Sequence, residues 1–334
     1  MTSSQIIHQL AEDIYQVQLP LPFALKQVNC YLVKGEAGWT ILDAGLNTPA
    51  GQAVWREAFK ALEINASDIN QIVLTHTHPD HYGMAGWLQN YCKRHSSADV
   101  PPVLMSAREA RTAAGFWGPN PDWKKTALNF WRSCGVPVEL AMAIIAATGQ
   151  MRLRVLPHPN QVKIISPGNE LLIGDRRTKI LQVSGHSDGH LVFYEQSDQL
   201  LFCGDQLLLG ITPNISIWPH SDPNPLGQYL DSLEKLSTLV VRVALPGHRA
   251  IISNYQDRIA ELRRHHSVRL RHALATAHPM VTPYEAAQQL FPLDRLSVHE
   301  KRFAVAETLA HLECLAVRGQ LRRQTGGVRI YIQA

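Results

Sequence analysis

Residues 14–19 alternate apolar and polar side chains near the start of the chain. Ile14, Val17 and Leu19 are set against Gln16 and Gln18, as in a strand with one buried face. Residues 29–33 and 39–43 are two more β-rich runs, and the link 34–38 (Lys-Gly-Glu-Ala-Gly) has turn chemistry. Residues 5–45 are therefore expected to be β structure, closing on Asp43, Ala44 and Gly45. The period then lengthens. An amphipathic helix is expected at about 50–62, a strand at 71–75, a helix through Met84, Leu88 and Tyr91, and a strand at 103–105. Strand character returns at 162–165, 170–173, 179–183, 191–194, 200–203 and 239–245. Helices alternating with strands after an opening set of hairpins predict an α/β layered domain.

Residues 107–160 interrupt this rhythm. They carry Trp117, Trp123, Phe130 and Trp131, with Met142, Ile144 and Ile145 further on. Helical spacing fits 123–135 and 138–148. An aromatic-rich helical pair inserted in an α/β core is expected either to cover an apolar substrate or to pack onto the core. The tail opens with an Arg-rich helix over 254–275. Thr282, Pro283 and Glu285 then read as N-cap, N1 and N3 of a helix through Ala286, Ala287 and Leu290. A second helix is expected over 304–318. Residues 319–323 and 328–332, around Thr325, Gly326 and Gly327, read as a hairpin.

At 334 residues the chain suffices for one large domain or two. The formal charge of +4 selects no class of partner. Residues 255–334 hold 12 Lys and Arg against 7 Asp and Glu, leaving 20 against 21 elsewhere. The excess positive charge thus sits in the tail, where a solvated helical surface is the plainer explanation than an acidic partner. Cys30, Cys92, Cys134, Cys203 and Cys314 are scattered, odd in number and without a CxxC pair, which points to free thiols in a reducing compartment. No signal peptide is read at the N-terminus, and no apolar run approaches the ~20 residues that span a membrane. The expectation is a cytoplasmic protein.

The chemistry is concentrated at the end of the strand 71–75. His76, His78, Asp80 and His81 fall within six residues, with Pro79 breaking the ladder. Three later β runs also end on ligand-type side chains: His186 after Gly185, Asp205 after Gly204, and His248 after Gly247. This is the pattern of a site along one sheet edge. Five imidazoles and two carboxylates are too many for one tetrahedral ion and suit two. The mix fits zinc, with iron or manganese as alternatives. Two ions about 3.5–4 Å apart need a bridging ligand, and they make hydroxide available at neutral pH. The reaction class is metal-assisted hydrolysis. His190 follows His186 by four and is read as orienting a ligand or as donating a proton to a leaving group. Cys203 lies two residues from Asp205, on the same side of a regular strand, and is read as a buried thiol. His220 is placed beside the pocket. His8, His95, His158, His265, His266, His272, His278, His299 and His311 are left as surface or core residues.

The run Thr75-His-Thr-His-Pro-Asp-His81 resembles the HxHxDH signature of the metallo-β-lactamase superfamily. Gly185-His186, Gly204-Asp205 and Gly247-His248 resemble its remaining metal motifs in the right order, so the resemblance covers about residues 10–255. It implies an αββα sandwich with a dinuclear site at one edge. His76, His78 and His186 would hold one divalent ion; Asp80, His81 and His248 would hold the other; Asp205 would bridge them. Asp43 matches a strand-end aspartate that supports the HxHxDH loop, although a plain capping role fits as well. Asp80 beside His81 resembles the glyoxalase II, lactonase and RNase branch. The tail resembles a winged-helix unit appended to some proteins of this fold, an endoribonuclease among them. Its wing would be basic, through Arg322, Arg323 and Arg329.

The resulting expectation is a metallo-β-lactamase-like catalytic domain at 1–254 with a helical insertion at about 107–160, followed by a winged-helix-like domain at 255–334. Asp80 and His190 are the candidate catalytic side chains, and a metal-bridging hydroxide is the expected nucleophile. The expected substrate is a small-molecule thioester, lactone or related ester. The alternative is single-stranded RNA, for which Lys124, Lys125, Arg132, Arg152 and Arg154 of the insertion leave a basic path open. The tail is expected to pack over the site or form a homodimer contact rather than bind nucleic acid. A metal-bound sensing module is disfavoured, because no ligand is missing.

Overall fold

The computed structural model describes residues 6–97 and 99–334. The expected β start at Gln5, and the first residues read for a leader, lie outside them. The chain opens with an antiparallel meander: β1 (Ile7–Gln9), β2 (Ile14–Pro20), β3 (Gln27–Gly35) and β4 (Gly38–Leu42). Helix α1 (Pro49–Ala61) then crosses over to β5 (Ile69–Val73). Helices α2 (Pro79–Tyr82) and α3 (Ala85–His95) lead to β6 (Val103–Met105). The insertion contributes α4 (Ala107–Thr112), α5 (Trp123–Ser133) and α6 (Val138–Leu153) before β7 (Val162–Ile164). Helical crossovers return each strand parallel to the last, so β4 to β7 pair in parallel and complete a seven-stranded sheet.

The second sheet has the order β12-β11-β10-β9-β8. It is built from β8 (Glu170–Ile173), β9 (Arg176–Gln182), β10 (Leu191–Glu195), β11 (Leu200–Gly204) and β12 (Val243–Pro246). Only β11 and β12 are parallel, joined through α7 (Pro225–Ser237). The two faces of each strand divide cleanly between cores. Tyr31, Val33, Leu42, Val73 and Leu104 meet Ile180, Leu191, Phe193, Phe202 and Leu245 between the sheets. Their alternate neighbours Cys30, Leu32, Ile41 and Ile72 pack outward with Trp55, Phe59 and Leu88 of α1 and α3. Val192, Tyr194, Leu201 and Cys203 pack outward with Leu226, Tyr229 and Leu233 of α7. This is an α/β sandwich of two mixed sheets with helices on the outer faces, and its inner strands read as near-continuous apolar runs because both faces are buried.

The C-terminal part runs α8 (Tyr255–Thr276), α9 (Pro283–Leu290) and α10 (Val298–Val317), then the hairpin β13 (Leu321–Gly326) and β14 (Val328–Gln333). The expected Thr282–Glu285 capping box forms at α9. The expected start of the last helix at 304 is corrected to Val298. Ser297 and Glu300 form a second capping box there, which satisfies the first free amides of α10. The strand expected at 239–245 shortens to begin at Val243, since Val240 is exposed beyond the end of α7. Helix α7 itself was not expected. Asn224 caps it, Pro225 sits in its first turn, and Leu226, Tyr229, Leu233 and Leu236 form its buried stripe.

The insertion packs onto the rest of the protein. Phe130, Trp131 and Ile144 share one core with Leu309, Leu312 and Tyr331 of the tail. Tyr284 N donates to Cys134 O at 2.9 Å. Among the described residues no helix is long and apolar enough to cross a membrane. All five cysteines are buried free thiols.

Candidate metal centre

The loop after β5 turns at Pro79 into the single turn α2, which lifts Asp80 and His81 back towards His76 and His78. Three groups of ligand-type atoms lie within 4.8 Å of one another: His76, His78 and His186; His76, His81 and Asp205; and Asp80, His81 and His248. All seven side chains expected from the sequence therefore meet at one edge of the sandwich, at the ends of β5, β9, β11 and β12. Asp205 is central. Its Oδ1 is 3.4 Å from His81 Nε2, and its Oδ2 is 3.4 Å from His248 Nε2 and 3.6 Å from His186 Nε2. Asp80 Oδ2 is 3.3 Å from His248 Nε2.

In four of the five imidazoles the outer ring nitrogen is tied to the protein, which fixes the inner one. His81 Nδ1 is 2.8 Å from Asp43 Oδ2, His186 Nδ1 is 2.9 Å from Asn214 O, and His248 Nδ1 is 2.8 Å from Gln27 O. His76 Nδ1 is 2.9 Å from Thr75 Oγ1. With Nδ1–H donated outward, Nε2 presents a lone pair inward, the form in which imidazole ligates a cation. His78 faces the cluster with Nδ1 instead, 3.0 Å from His76 Nε2. Asp43 also accepts from Thr75 N at 2.8 Å and from Thr75 Oγ1 at 2.8 Å. It thus anchors both ends of the ligand loop, which goes beyond the plain capping role.

The donor set can be tested for a cation from the polar atoms it leaves unpaired. His81 Nε2, His186 Nε2, His248 Nε2 and Asp205 Oδ1 are all buried and have no hydrogen-bond partner. Each such atom would cost about 1–3 kcal/mol if nothing satisfied it. These unpaired nitrogen and oxygen atoms, gathered at Asp205 and its neighbours, are a donor set that fits divalent metal ions.

The electrostatics divide the cluster. Burial, reinforced by neighbouring imidazoles, pushes His76 well below its ordinary range and lowers His78 to about 3. Burial also lowers His186, against the pull of Asp205. These three are neutral donors. Burial acts likewise on His81 and His248, but carboxylates outweigh it, Asp205 first. His81 rises well above its ordinary range and His248 to about 10. For Asp205, burial would raise the carboxyl, and His248 and His81 instead hold it well below the usual range. The second side thus carries the two carboxylates, Asp80 and Asp205, that favour positive charge there.

His190 lies beside the cluster, fully buried, with its ring 4.7 Å from that of His76. Its Nε2 accepts from Asp205 N at 3.2 Å, and its Nδ1 is buried without a hydrogen-bond partner. Cys203 is the expected buried thiol, with Sγ 3.6 Å from Leu207 O. The expectation that it shares a side with Asp205 is corrected: Gly204 has φ +49°, and the register shifts there, turning Asp205 out of the strand's alternation. Gly247 lets the last strand end approach, since a Cβ there would overlap Asp205 Oδ1 and His81 Cε1.

Sequence reasoning missed Glu109. This buried carboxylate accepts from Thr77 N at 2.9 Å, Thr77 Oγ1 at 2.6 Å and Gly189 N at 2.8 Å, and also from Ser187 Oγ. It clamps the loops that carry His76, His78 and His186. Arg108 beside it forms an ion pair with Asp188. The Ser106-to-Glu109 spacing was a visible helix-start signal, but in a capping box the glutamate would turn back to the cap.

Comparison with known proteins follows the same lines. Residues 24–248 match the family model described as Metallo-beta-lactamase superfamily, and residues 270–334 match Metallo-beta-lactamase-like, C-terminal domain. The probable metallo-hydrolase YqjP of Bacillus subtilis (strain 168) is 29% identical over 335 residues, covering 96% of this chain and 98% of that protein. The atrochrysone carboxyl ACP thioesterase of Aspergillus fumigatus is 23% identical over 72% of this chain, and the match spans 57% of that protein. The crystal structure of a metallo-beta-lactamase family protein from Thermus thermophilus superposes with a TM-score of 0.86 at 32% identity, covering 98% of this chain and all of that one.

Proposed function

The chain belongs to the metallo-beta-lactamase superfamily and is a metallo-hydrolase; from that premise we propose that it is a dinuclear hydrolase of small-molecule thioesters, lactones or related esters. His76, His78 and His186 would hold one divalent cation; Asp80, His81 and His248 would hold the second; Asp205 would bridge them. Zinc is the proposed metal. The observation that carries this reading is the convergence of three unpaired buried imidazole nitrogens, those of His81, His186 and His248, on the Asp205 carboxylate.

When bound, the two cations would acidify a water molecule and polarise the substrate carbonyl. The chain's own residues do the rest. Asp43, Gln27 and Asn214 hold the imidazole tautomers. Asp80 is the catalytic carboxylate proposed to take the proton of the attacking water as the new C–O bond forms and the thiolate or alkoxide departs. His190 is proposed to orient Asp205, because its Nε2 accepts from the Asp205 amide.

Two observations favour an acyl substrate over single-stranded RNA. The A. fumigatus relative is named a thioesterase. Two of the three arginines of the C-terminal hairpin are engaged within the protein: Arg323 pairs with Glu313, and Arg329 lies over the Phe130 ring at 5.3 Å with Nη1 3.4 Å from Cys134 Sγ. We propose residues 1–254 as the catalytic unit and 255–334 as a winged-helix-like unit that packs against the insertion. A cytoplasmic location agrees with the five free thiols. The test is to assay the metal-loaded protein on a thioester and lactone panel and on single-stranded RNA, with Asp205→Ala alongside. Thioester or lactone hydrolysis lost in Asp205→Ala is expected. RNA cleavage lost in Asp205→Ala, without ester hydrolysis, would overturn the substrate reading.

A further inference from the structure

A cavity of about 50 Å³ lies between the insertion and α10. Its walls include Phe116, Trp123, Trp131, Trp218, Arg152 and Arg302. Four aromatic rings, those of Phe116, Trp123, Trp131 and Trp218, line it, and no carboxylate is among its lining residues. The two guanidinium groups are held differently. Arg152 lies over the Trp123 ring at 5.0 Å and donates to Gly118 O at 2.6 Å. Arg302 lies 5.2 Å from the Trp218 ring centre and 4.6 Å from that of Phe303. Its one side-chain hydrogen bond is a long contact of 3.5 Å to Thr148 Oγ1, and its Nε is buried without an acceptor. Neither arginine takes part in an ion pair among the described residues.

A half-buried guanidinium without a counter-anion is costly. Burial alone lowers Arg302, to about 10. Cation–π contacts return only about 0.5–2 kcal/mol. Arginine's fixed fork of donors matches a carboxylate. At roughly 10–15 Å³ per water, a cavity this size holds a few waters, the bulk of one carboxylate and its adjoining carbon. Its place also suits a substrate. Asn214, whose carbonyl fixes His186, precedes Trp218 by four residues, so at most about 14 Å of backbone separates the cavity wall from that ligand's anchor.

We propose that this cavity receives a carboxylate of the substrate, so that the preferred ester or thioester carries a free acid group at the far end of an apolar acyl chain. Arg302 is the principal recognition residue, with Arg152 beside it and the four aromatic rings enclosing the carboxylate and its adjoining carbon. The inference rests on the reading of the metal centre as an acyl hydrolase.

The test compares phenyl thioesters of α,ω-dicarboxylic acids with those of monocarboxylic acids of the same chain length, on the full-length, metal-loaded protein. The expected result is a kcat/KM preference of tenfold or more for the acid-bearing member at one chain length, set by KM. Arg302→Gln is expected to collapse that ratio to within about twofold. A second readout needs no turnover. The matching free dicarboxylate should quench the fluorescence of Trp123, Trp131 and Trp218 in wild type at concentrations at least tenfold lower than in Arg302→Gln. Arg302→Met should unfold at the same temperature as wild type or higher, since a buried unpaired charge is removed. No preference for the acid-bearing series together with equal quenching in both proteins would overturn the subsite. Arg302-dependent quenching without hydrolysis of any thioester would keep the subsite and overturn the acyl-hydrolase reading instead.

Discussion

Glu109 Oε2 lies 2.6 Å from Thr77 Oγ1 and 2.9 Å from Thr77 N. Its other oxygen takes Gly189 N at 2.8 Å and the Ser187 hydroxyl. One carboxylate thus joins the HxHxDH loop to the loop that carries His186 and His190. A glutamine keeps the shape but turns an amide towards donors. Glu109→Gln should lower stability by about 1–3 kcal/mol, the cost of leaving buried donors unpaired. It should also weaken metal binding by roughly 10–100-fold, as expected when a partner that holds ligands in place is lost. Chemical denaturation and metal titration check the two effects. Wild-type metal affinity in Glu109→Gln would show that the clamp does not hold the ligands.

Gly247 tests the packing of the site's other side. A methyl group there would overlap Asp205 Oδ1 and His81 Cε1. Gly247→Ala should displace Asp205 or His81 and cut metal affinity and turnover by about 10²-fold or more, within the range of changes that misplace a ligand. Since the clash falls on the site rather than on the core, circular dichroism should stay that of wild type. Normal metal loading in this variant would contradict the proximity of the last two strand ends.

Stability should fall in mild acid for a reason remote from the metals. His266 and His311 are buried in the C-terminal unit, with His266 Nδ1 3.5 Å from His311 Nε2. Burial lowers His266 to about 3 and His311 to about 4, from an ordinary 6.5. Between those values and 6.5 the unfolded chain binds protons that the folded chain does not, so stability is lost as pH falls from about 6.5 towards 4. Thermal unfolding of metal-free protein at pH 7 and pH 5 measures the loss. His266→Phe should shrink the gap between the two melting temperatures. An unchanged gap would place the acid sensitivity elsewhere.

How much of this was legible follows from where each signal lay. That His76, His78, Asp80 and His81 cluster was plain because four ligand-type side chains crowd six positions, and His186, Asp205 and His248 stood out because each closes an apolar run after a glycine. The inner strands were legible because both faces are buried, as Phe193 and Val192 or Phe202 and Leu201 show. The start of α10 at Val298 was missed because Ser297 and Glu300 stand well before its apolar stripe. The shared side assumed for Cys203 and Asp205 failed because a backbone turn at Gly204 breaks the period of two. Glu109 and Arg302 were not legible as site residues. One sits on an ordinary helix start, and the other among the solvated charges of the tail; only tertiary packing reveals what each faces.

The central claim is that seven side chains form one site for two metal ions, bridged by Asp205. Metal content per chain tests it most directly, by elemental analysis of protein stripped with chelator, reloaded with zinc and freed of excess. Two equivalents in wild type are expected, falling to one or fewer in Asp205→Ala with the secondary structure retained. A single equivalent in wild type, or two in Asp205→Ala, would contradict the account.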